Sequence, residues 1–134
     1  MDAKVLVDTS VWITFFRGKD PLLIELITML LKSGRAVYTG IIALELINGA
    51  KGQKELQTLH DAFDAMECII VNETTYFSAG KLGYELSRKG HTLSTVDLLI
   101  AQTAIGHNLS LLTYDEHFRV IEKNSSLTFF KAPL

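Results

Sequence analysis

The sequence contains little cysteine and no long apolar run. Its single cysteine, Cys68, excludes an internal disulfide and any zinc site built from several cysteines. The longest stretch without a formal charge, residues 98–114, is interrupted by polar side chains and is too short to span a bilayer. Only a short apolar run precedes Asp8, so we expect no secretory signal. These features predict a cytoplasmic protein with no membrane partner.

The chain also lacks an excess of either charge. Thirteen Lys and Arg residues face fifteen Asp and Glu residues, which gives a formal net charge of -2. This balance excludes a strongly basic nucleic-acid coat, so a polyanionic partner must be bound through local basic patches or bound cations. There are only two prolines and no Gly/Ser-rich linker or internal repeat. At 134 residues, the sequence predicts one domain over residues 1–134.

Short β-branched runs alternate with longer stretches of helical periodicity. The predicted strands are residues 4–7, 36–39, 68–71 and 110–113, with a fifth edge strand at 127–130. The predicted helices are residues 9–17, 21–32, 41–48, 53–66, 75–88, 94–105 and 116–121. This alternation indicates an α/β fold, a three-layer α/β/α sandwich with a mostly parallel central sheet. Ligands of such sheets bind beyond the carboxyl ends of the strands.

Four carboxylates lie near predicted strand ends. Asp8 follows the first strand and Asp115 follows the fourth. Asp97 lies in the first turn of the helix before the fourth strand, and Glu45 lies one turn into the helix after the second strand. In a parallel sheet all four could gather at one edge, where they would repel one another unless protonated or bound to a hard cation such as Mg²⁺ or Mn²⁺. A cation held in this way suits phosphodiester hydrolysis.

Each carboxylate also has a purely structural interpretation. Asp8 can cap the first helix, Ser94 and Asp97 resemble a capping box, and Asp115 can cap the last helix. Glu45 interrupts an apolar run, which predicts a helix largely surrounded by protein and a carboxylate that needs a cation or donors nearby. The alternative for Glu45 is the polar edge of an amphipathic helix.

Four segments resemble the motifs of PIN-domain nucleases. They are Val5-Leu-Val-Asp8-Thr-Ser-Val-Trp-Ile13, Thr39-Gly-Ile-Ile-Ala-Leu-Glu45-Leu, Ser94-Thr-Val-Asp97-Leu-Leu-Ile-Ala101 and Leu111-Leu-Thr113-Tyr-Asp115-Glu-His-Phe118. They occur in the family's order over nearly the whole chain, and the first segment and the chain length look most like VapC-type toxins. The resemblance implies a metal-dependent endoribonuclease, the toxin of a type II toxin–antitoxin pair, with RNA as substrate, a cognate antitoxin and a homodimer.

Carried over by position, the acidic residues would be Asp8, Glu45, Asp97 and Asp115, with Thr9 and Thr113 as supporting hydroxyls. Some family members have a carboxylate where this chain has His117, which leaves Asp115 or the neighbouring Glu116 as the fourth acidic group, with Asp115 favoured. We expect Asp8, Asp97 and Asp115 to act as metal ligands. Asp8 and Asp97 would hold the principal ion, while Glu45 and Asp115 would orient the attacking water or support a second ion.

Basic residues flank the segments that carry the proposed site. Our candidates for contacts with RNA phosphates are Arg17, Lys19, Lys51 and Lys54. For each of them, the role of an ordinary solvated side chain is an equally good interpretation.

Two other functions fit parts of the sequence. A receiver-type, Mg²⁺-dependent phosphoacceptor domain also uses strand-end aspartates, and the segment from Lys131 to Pro133 gives it slight support. The third predicted strand ends in Val71-Asn72, however, without a phosphoacceptor aspartate. The other alternative is a PIN-fold nuclease of RNA maturation that is not a toxin.

Overall fold

Five parallel strands form one sheet in the computed structural model, which describes residues 3–131. The strands are β1 (Val5–Val7), β2 (Ala36–Tyr38), β3 (Glu67–Cys68), β4 (Ser110–Leu112) and β5 (Thr128–Phe129), in the order β3-β2-β1-β4-β5. The predicted α/β class with a parallel central sheet is confirmed. Pro133, which was considered in support of a receiver-type domain, lies outside the described residues.

Seven helices cover the sheet within residues 3–131. They are α1 (Thr9–Arg17), α2 (Pro21–Lys32), α3 (Gly40–Asn48), α4 (Gln53–Asp64), α5 (Glu73–Arg88), α6 (Thr95–Gly106) and α7 (Phe118–Lys123). Helices α1 to α4 pack in one group, and α5 to α7 pack in another. Because parallel strands are connected by right-handed crossovers, the two groups cover opposite faces of the sheet.

The central strand β1 lies in the middle of the core. Val5, Leu6 and Val7 are fully buried, as expected for a parallel strand that is covered on both faces. Pairing aligns Leu6 with Val37 of β2 on one side and with Leu111 of β4 on the other. This register brings the carboxyl ends of β1 and β4 side by side.

Local capping explains where the first two helices begin and end. Gly18 ends α1 in the left-handed conformation, with φ of 70°, which glycine adopts without steric cost. Asp20 then caps α2 by accepting a hydrogen bond from the Leu23 N–H at 3.2 Å, and Pro21 occupies the first helical position. Both helices have the bounds that the sequence predicts.

Most predicted elements differ from the structure by one or two residues at an end, and β3 and α7 differ most. Strand β3 is an edge strand of only two residues rather than residues 68–71, and Ile70 beyond it is 74% exposed. Helix α7 begins at Phe118 rather than at Glu116. The chain first makes a turn there, in which the His117 N–H donates to Asp115 Oδ1 at 2.9 Å.

Within the described residues, no helix has the length and apolar character needed to cross a bilayer. The cytoplasmic location expected from the sequence stays a prediction.

Candidate metal centre

The sheet has a crevice at the carboxyl ends of β1 and β4. After β1, the chain adds β2 and β3 towards one edge of the sheet and then adds β4 and β5 towards the opposite edge. The strand order therefore reverses between β1 and β4. Open α/β sheets bind their ligands at such a reversal. Asp8 follows β1 directly, and Asp115 lies shortly after β4, so both residues border this crevice.

Asp8 is a buried carboxylate with three hydrogen-bond donors. It is 5% exposed, and its Oδ2 accepts from Ser10 Oγ at 2.8 Å, from Thr113 Oγ1 at 2.9 Å and from the Ser10 N–H at 3.4 Å. Asp8 also caps α1, so the capping interpretation is correct and is compatible with a site role. Among residues 3–131, every hydrogen bond to this carboxylate falls on Oδ2, which leaves Oδ1 as a free acceptor.

Two hydroxyls join the ends of β1 and β4. Ser10 Oγ, besides donating to Asp8, accepts from the Tyr114 N–H at 3.1 Å. Thr113 Oγ1, besides donating to Asp8, accepts from the Asp115 N–H at 3.0 Å. Each hydroxyl therefore connects the first carboxylate to the backbone that presents Asp115.

Asp97, Asp115 and His117 form a cluster at the crevice, and Asp8 lies outside this cluster but near enough for its charge to act on Asp97. Each member of the cluster offers one ligand atom, and these atoms all lie within 4.8 Å of one another. His117 Nδ1 lies 3.2 Å from Asp115 Oδ1 and 3.7 Å from Asp97 Oδ2. Ser94 caps α6 by accepting from the Asp97 N–H at 3.1 Å, which fixes the first turn that carries Asp97.

Negative charge accumulates around Asp97. Burial raises the pKa of Asp97 above the ordinary value for an aspartate, and the charges of Asp115 and Asp8 raise it further, while Ser94 and His117 act in the opposite direction. A divalent cation between these groups would relieve both the repulsion and the loss of hydration. The donor set, oxygen-rich and partly buried, therefore fits a divalent metal ion.

Glu45 lies outside this cluster, and the expectation that it is buried was wrong. The residue is exposed, and its neighbours Leu44 and Ile47 are 60% and 42% exposed. The apolar run was interpreted as a buried helix, but α3 turns only one side to the core. Glu45 is nevertheless held at the crevice, because Thr9 Oγ1, next to Asp8, donates to its Oε1 at 2.7 Å.

The structure distinguishes the two candidates for the fourth acidic position. Asp115 belongs to the cluster, whereas Glu116 is exposed and its Oε2 pairs with Arg119 Nε at 2.7 Å. The hydroxyl of Thr113 is engaged by Asp8 and by the N–H of Asp115, not by Glu116.

Three of the four basic candidates line one groove. A cavity of about 700 Å³ lies between α1, α3 and α4, and its lining includes Arg17, Lys51, Lys54 and Glu45. Lys19 is exposed but does not line this groove. Because Glu45 lines the groove and is bonded to Thr9, the groove leads to the crevice.

Sequence reasoning missed two residues of the centre. Ser10 was assigned only to the start of α1, although a hydroxyl two positions after a strand-end aspartate can bond back to that side chain. His117 was noted only as a departure from the family pattern. Its position two residues after Asp115 was the available signal, because a turn can bring such residues together.

The model of the PIN domain family matches residues 5–124 of this chain. The chain therefore belongs to the PIN-domain family, in agreement with the fold and with the placement of the carboxylates. It is 29% identical over 123 residues to Ribonuclease VapC1 of Methanocaldococcus jannaschii, covering 91% of this chain and 84% of the relative. It is also 32% identical over 117 residues to Ribonuclease VapC19 of Mycobacterium tuberculosis, covering 84% and 90%.

Solved structures agree on the fold. The DNA-bound VapBC structure from Salmonella typhimurium superimposes with a TM-score of 0.79 at 22% identity, covering 96% of this chain and 98% of the other. Membership of the PIN-domain family argues against the receiver-type alternative. The recognition of a PIN-domain protein of VapC type is thus confirmed.

Proposed function

We propose that this chain is a single PIN-like nuclease domain over residues 1–134 that hydrolyses RNA phosphodiester bonds as a divalent-metal-dependent endoribonuclease. The observation that carries the proposal is the cluster of Asp97 and Asp115 at the crevice between β1 and β4, with Asp8 near enough for its charge to raise the pKa of Asp97. The similarity to the VapC ribonucleases of two organisms supports RNA as the substrate.

Asp8, Asp97 and Asp115 would hold the ion, which is Mg²⁺ or Mn²⁺. Such an ion, when bound, activates water and stabilises negative charge on a phosphoryl oxygen. Asp8 would have one oxygen available to such an ion, because Ser10 and Thr113 donate to its other oxygen. Thr9 fixes Glu45 at the groove side of the crevice, where this carboxylate can orient the attacking water.

RNA would approach along the groove between α1, α3 and α4. Arg17, Lys51 and Lys54 supply positive charge along its wall, and such side chains position a phosphate backbone without selecting a sequence. We retain Lys19 as a weaker candidate, because it follows Arg17 closely but lies outside the groove lining.

As a partner we propose a cognate antitoxin, with this chain as the toxin of the pair, because VapBC toxin–antitoxin proteins are among its structural relatives. We also propose that the chain forms a homodimer. Exposed apolar side chains on α3 and α5 support a protein partner, namely Leu44, Ile47, Tyr76, Phe77 and Tyr84.

The test is cleavage of a labelled RNA by the purified protein with Mg²⁺, with Mn²⁺ and with a chelator. Asp8→Asn and Asp97→Asn should lose the metal-dependent cleavage. The matched control is Asp61→Asn, an exposed aspartate of α4 that is bonded only to Gln57 among the described residues, and it should cleave like the native chain. Undiminished cleavage by Asp8→Asn would refute the proposed centre.

Expression of the chain in cells without an antitoxin distinguishes the two cellular roles. A toxin should arrest growth, whereas a nuclease of RNA maturation should not.

A further inference from the structure

We propose that His117 is a nitrogen ligand of the metal centre, so that the site prefers a first-row transition-metal ion such as Mn²⁺ to Mg²⁺. The inference rests on the proposed function, since it concerns the ion that serves the same crevice. Within residues 3–131, Asp97, Asp115 and His117 are the one group of three or more His, Cys, Asp and Glu residues whose ligand atoms all lie within 4.8 Å of one another.

The two separations between His117 and the carboxylates suit a single ion. Ligand atoms bonded at about 2.1 Å to an octahedral ion lie about 3 Å apart when adjacent and about 4.2 Å apart when opposite. His117 Nδ1 lies 3.2 Å from Asp115 Oδ1 and 3.7 Å from Asp97 Oδ2, which falls between these two values. The imidazole is therefore already placed where a third ligand of the same ion belongs.

The backbone holds His117 in this place. Its N–H donates to Asp115 Oδ1 at 2.9 Å, and this turn directs the ring back over the two carboxylates. The Asp115 N–H is in turn bonded to Thr113 Oγ1, which is bonded to Asp8. One chain of hydrogen bonds thus runs from the buried strand end to the imidazole, although the side chain of His117 is 70% exposed.

The chemistry of the donors decides which ion is favoured. Mg²⁺ strongly prefers oxygen ligands and keeps several of its waters. Imidazole nitrogen, in contrast, suits transition-metal ions, whose affinity for such sites rises from Mn²⁺ through Co²⁺ to Ni²⁺. Replacing one oxygen ligand by nitrogen therefore shifts the preference away from Mg²⁺.

The experiment measures metal binding directly, without RNA. Mn²⁺ and Mg²⁺ are titrated separately into the metal-free native chain, and the Mn²⁺ complex is examined by pulsed electron paramagnetic resonance for coupling to a coordinated nitrogen. The native chain should show this coupling and should bind Mn²⁺ more tightly than Mg²⁺. In His117→Ala the coupling should vanish, and Mn²⁺ affinity should fall at least about tenfold, the lower end of the cost of removing even an indirect support of a metal ligand. His117→Asp restores an all-oxygen set and should shift the preference back towards Mg²⁺.

The matched control is His60→Ala. His60 is also exposed, at 71%, and lies 3.4 Å from one aspartate, Asp64, but no second carboxylate joins it in the described cluster. This variant should keep the coupling and the affinity of the native chain.

The outcomes separate this inference from the proposed function. Mn²⁺ binding that depends on Asp97 but shows no nitrogen coupling, or that is unchanged in His117→Ala, overturns the role of His117 and leaves the carboxylate centre in place. Mn²⁺ binding that survives Asp97→Asn at native affinity overturns both. Tighter Mn²⁺ binding by His117→Ala would mean that the imidazole only pairs with the carboxylates, which also refutes the inference.

Discussion

The hydroxyl of Thr113 is expected to stabilise the whole fold, because it connects the two strand ends that form the crevice. Thr113→Val keeps the shape of the side chain but removes the donor to Asp8 Oδ2 and the acceptor of the Asp115 N–H. A hydrogen bond to a charged group contributes about 1.5–3 kcal/mol to the free energy of unfolding. Asp8 is only 5% exposed, so water cannot readily replace the lost donor. We expect a loss of about 2–3 kcal/mol in metal-free buffer near neutral pH.

The assay is thermal unfolding followed by circular dichroism. For a domain of this size, each kcal/mol lowers Tm by about 4 °C, so Tm should fall by about 8–12 °C. The control is Thr58→Val on the exposed side of α4, whose hydroxyl donates only to the Lys54 carbonyl at 3.0 Å. It should change stability by less than about 0.5 kcal/mol. If Thr113→Val is as stable as Thr58→Val, Asp8 does not depend on this hydroxyl and the account of the crevice is wrong.

Three further outcomes are expected. Asp97→Asn should raise Tm at neutral pH without metal, because the pKa of Asp97 is raised in the folded state. The ionised carboxylate therefore lowers the stability of the fold at neutral pH. This loss is absent below the ordinary aspartate pKa, develops between that pKa and the raised one, and persists above it. An equal increase in Tm of Asp97→Asn at acid pH would contradict this reasoning, and added Mn²⁺ should raise the Tm of the native chain only. The double variant Lys51→Ala, Lys54→Ala should bind RNA more weakly than the native chain, and its RNA affinity should depend less on salt concentration. The control is Lys81→Ala on α5, which should bind like the native chain. An unchanged salt dependence in the double variant would show that these lysines do not contact RNA. Gly18→Ala should cost about 1 kcal/mol, since φ is 70° there, while RNA cleavage is retained; an unchanged Tm would show that this strain is relieved elsewhere.

The strand-end aspartates could be predicted from the sequence because their positions follow from local patterns. Asp8 and Asp115 follow short apolar runs, and Asp97 follows a capping serine, so each could be assigned to one edge of a parallel sheet before the structure was known. The bounds of β1 and α1 follow from the same patterns, because burial and the capping residues Asp8 and Gly18 act over a few positions.

The remaining features depend on contacts that no local pattern contains. Ser10 belongs to the centre because the Tyr114 N–H, far along the chain, donates to it. The exposure of Glu45 was missed because an apolar run indicates burial without saying whether the covering surface is this chain or another molecule. The separation of Lys19 from Arg17, Lys51 and Lys54 depends on how α1 packs against α3 and α4.

The bond between Thr113 and Asp8 joins positions 105 residues apart in the chain. During synthesis, the first strand leaves the ribosome long before β4 exists, so neither strand end can reach its final arrangement until β4 has also emerged. A nascent chain that lacks β4 therefore has no assembled crevice, although Asp8 and Glu45 are already present in it.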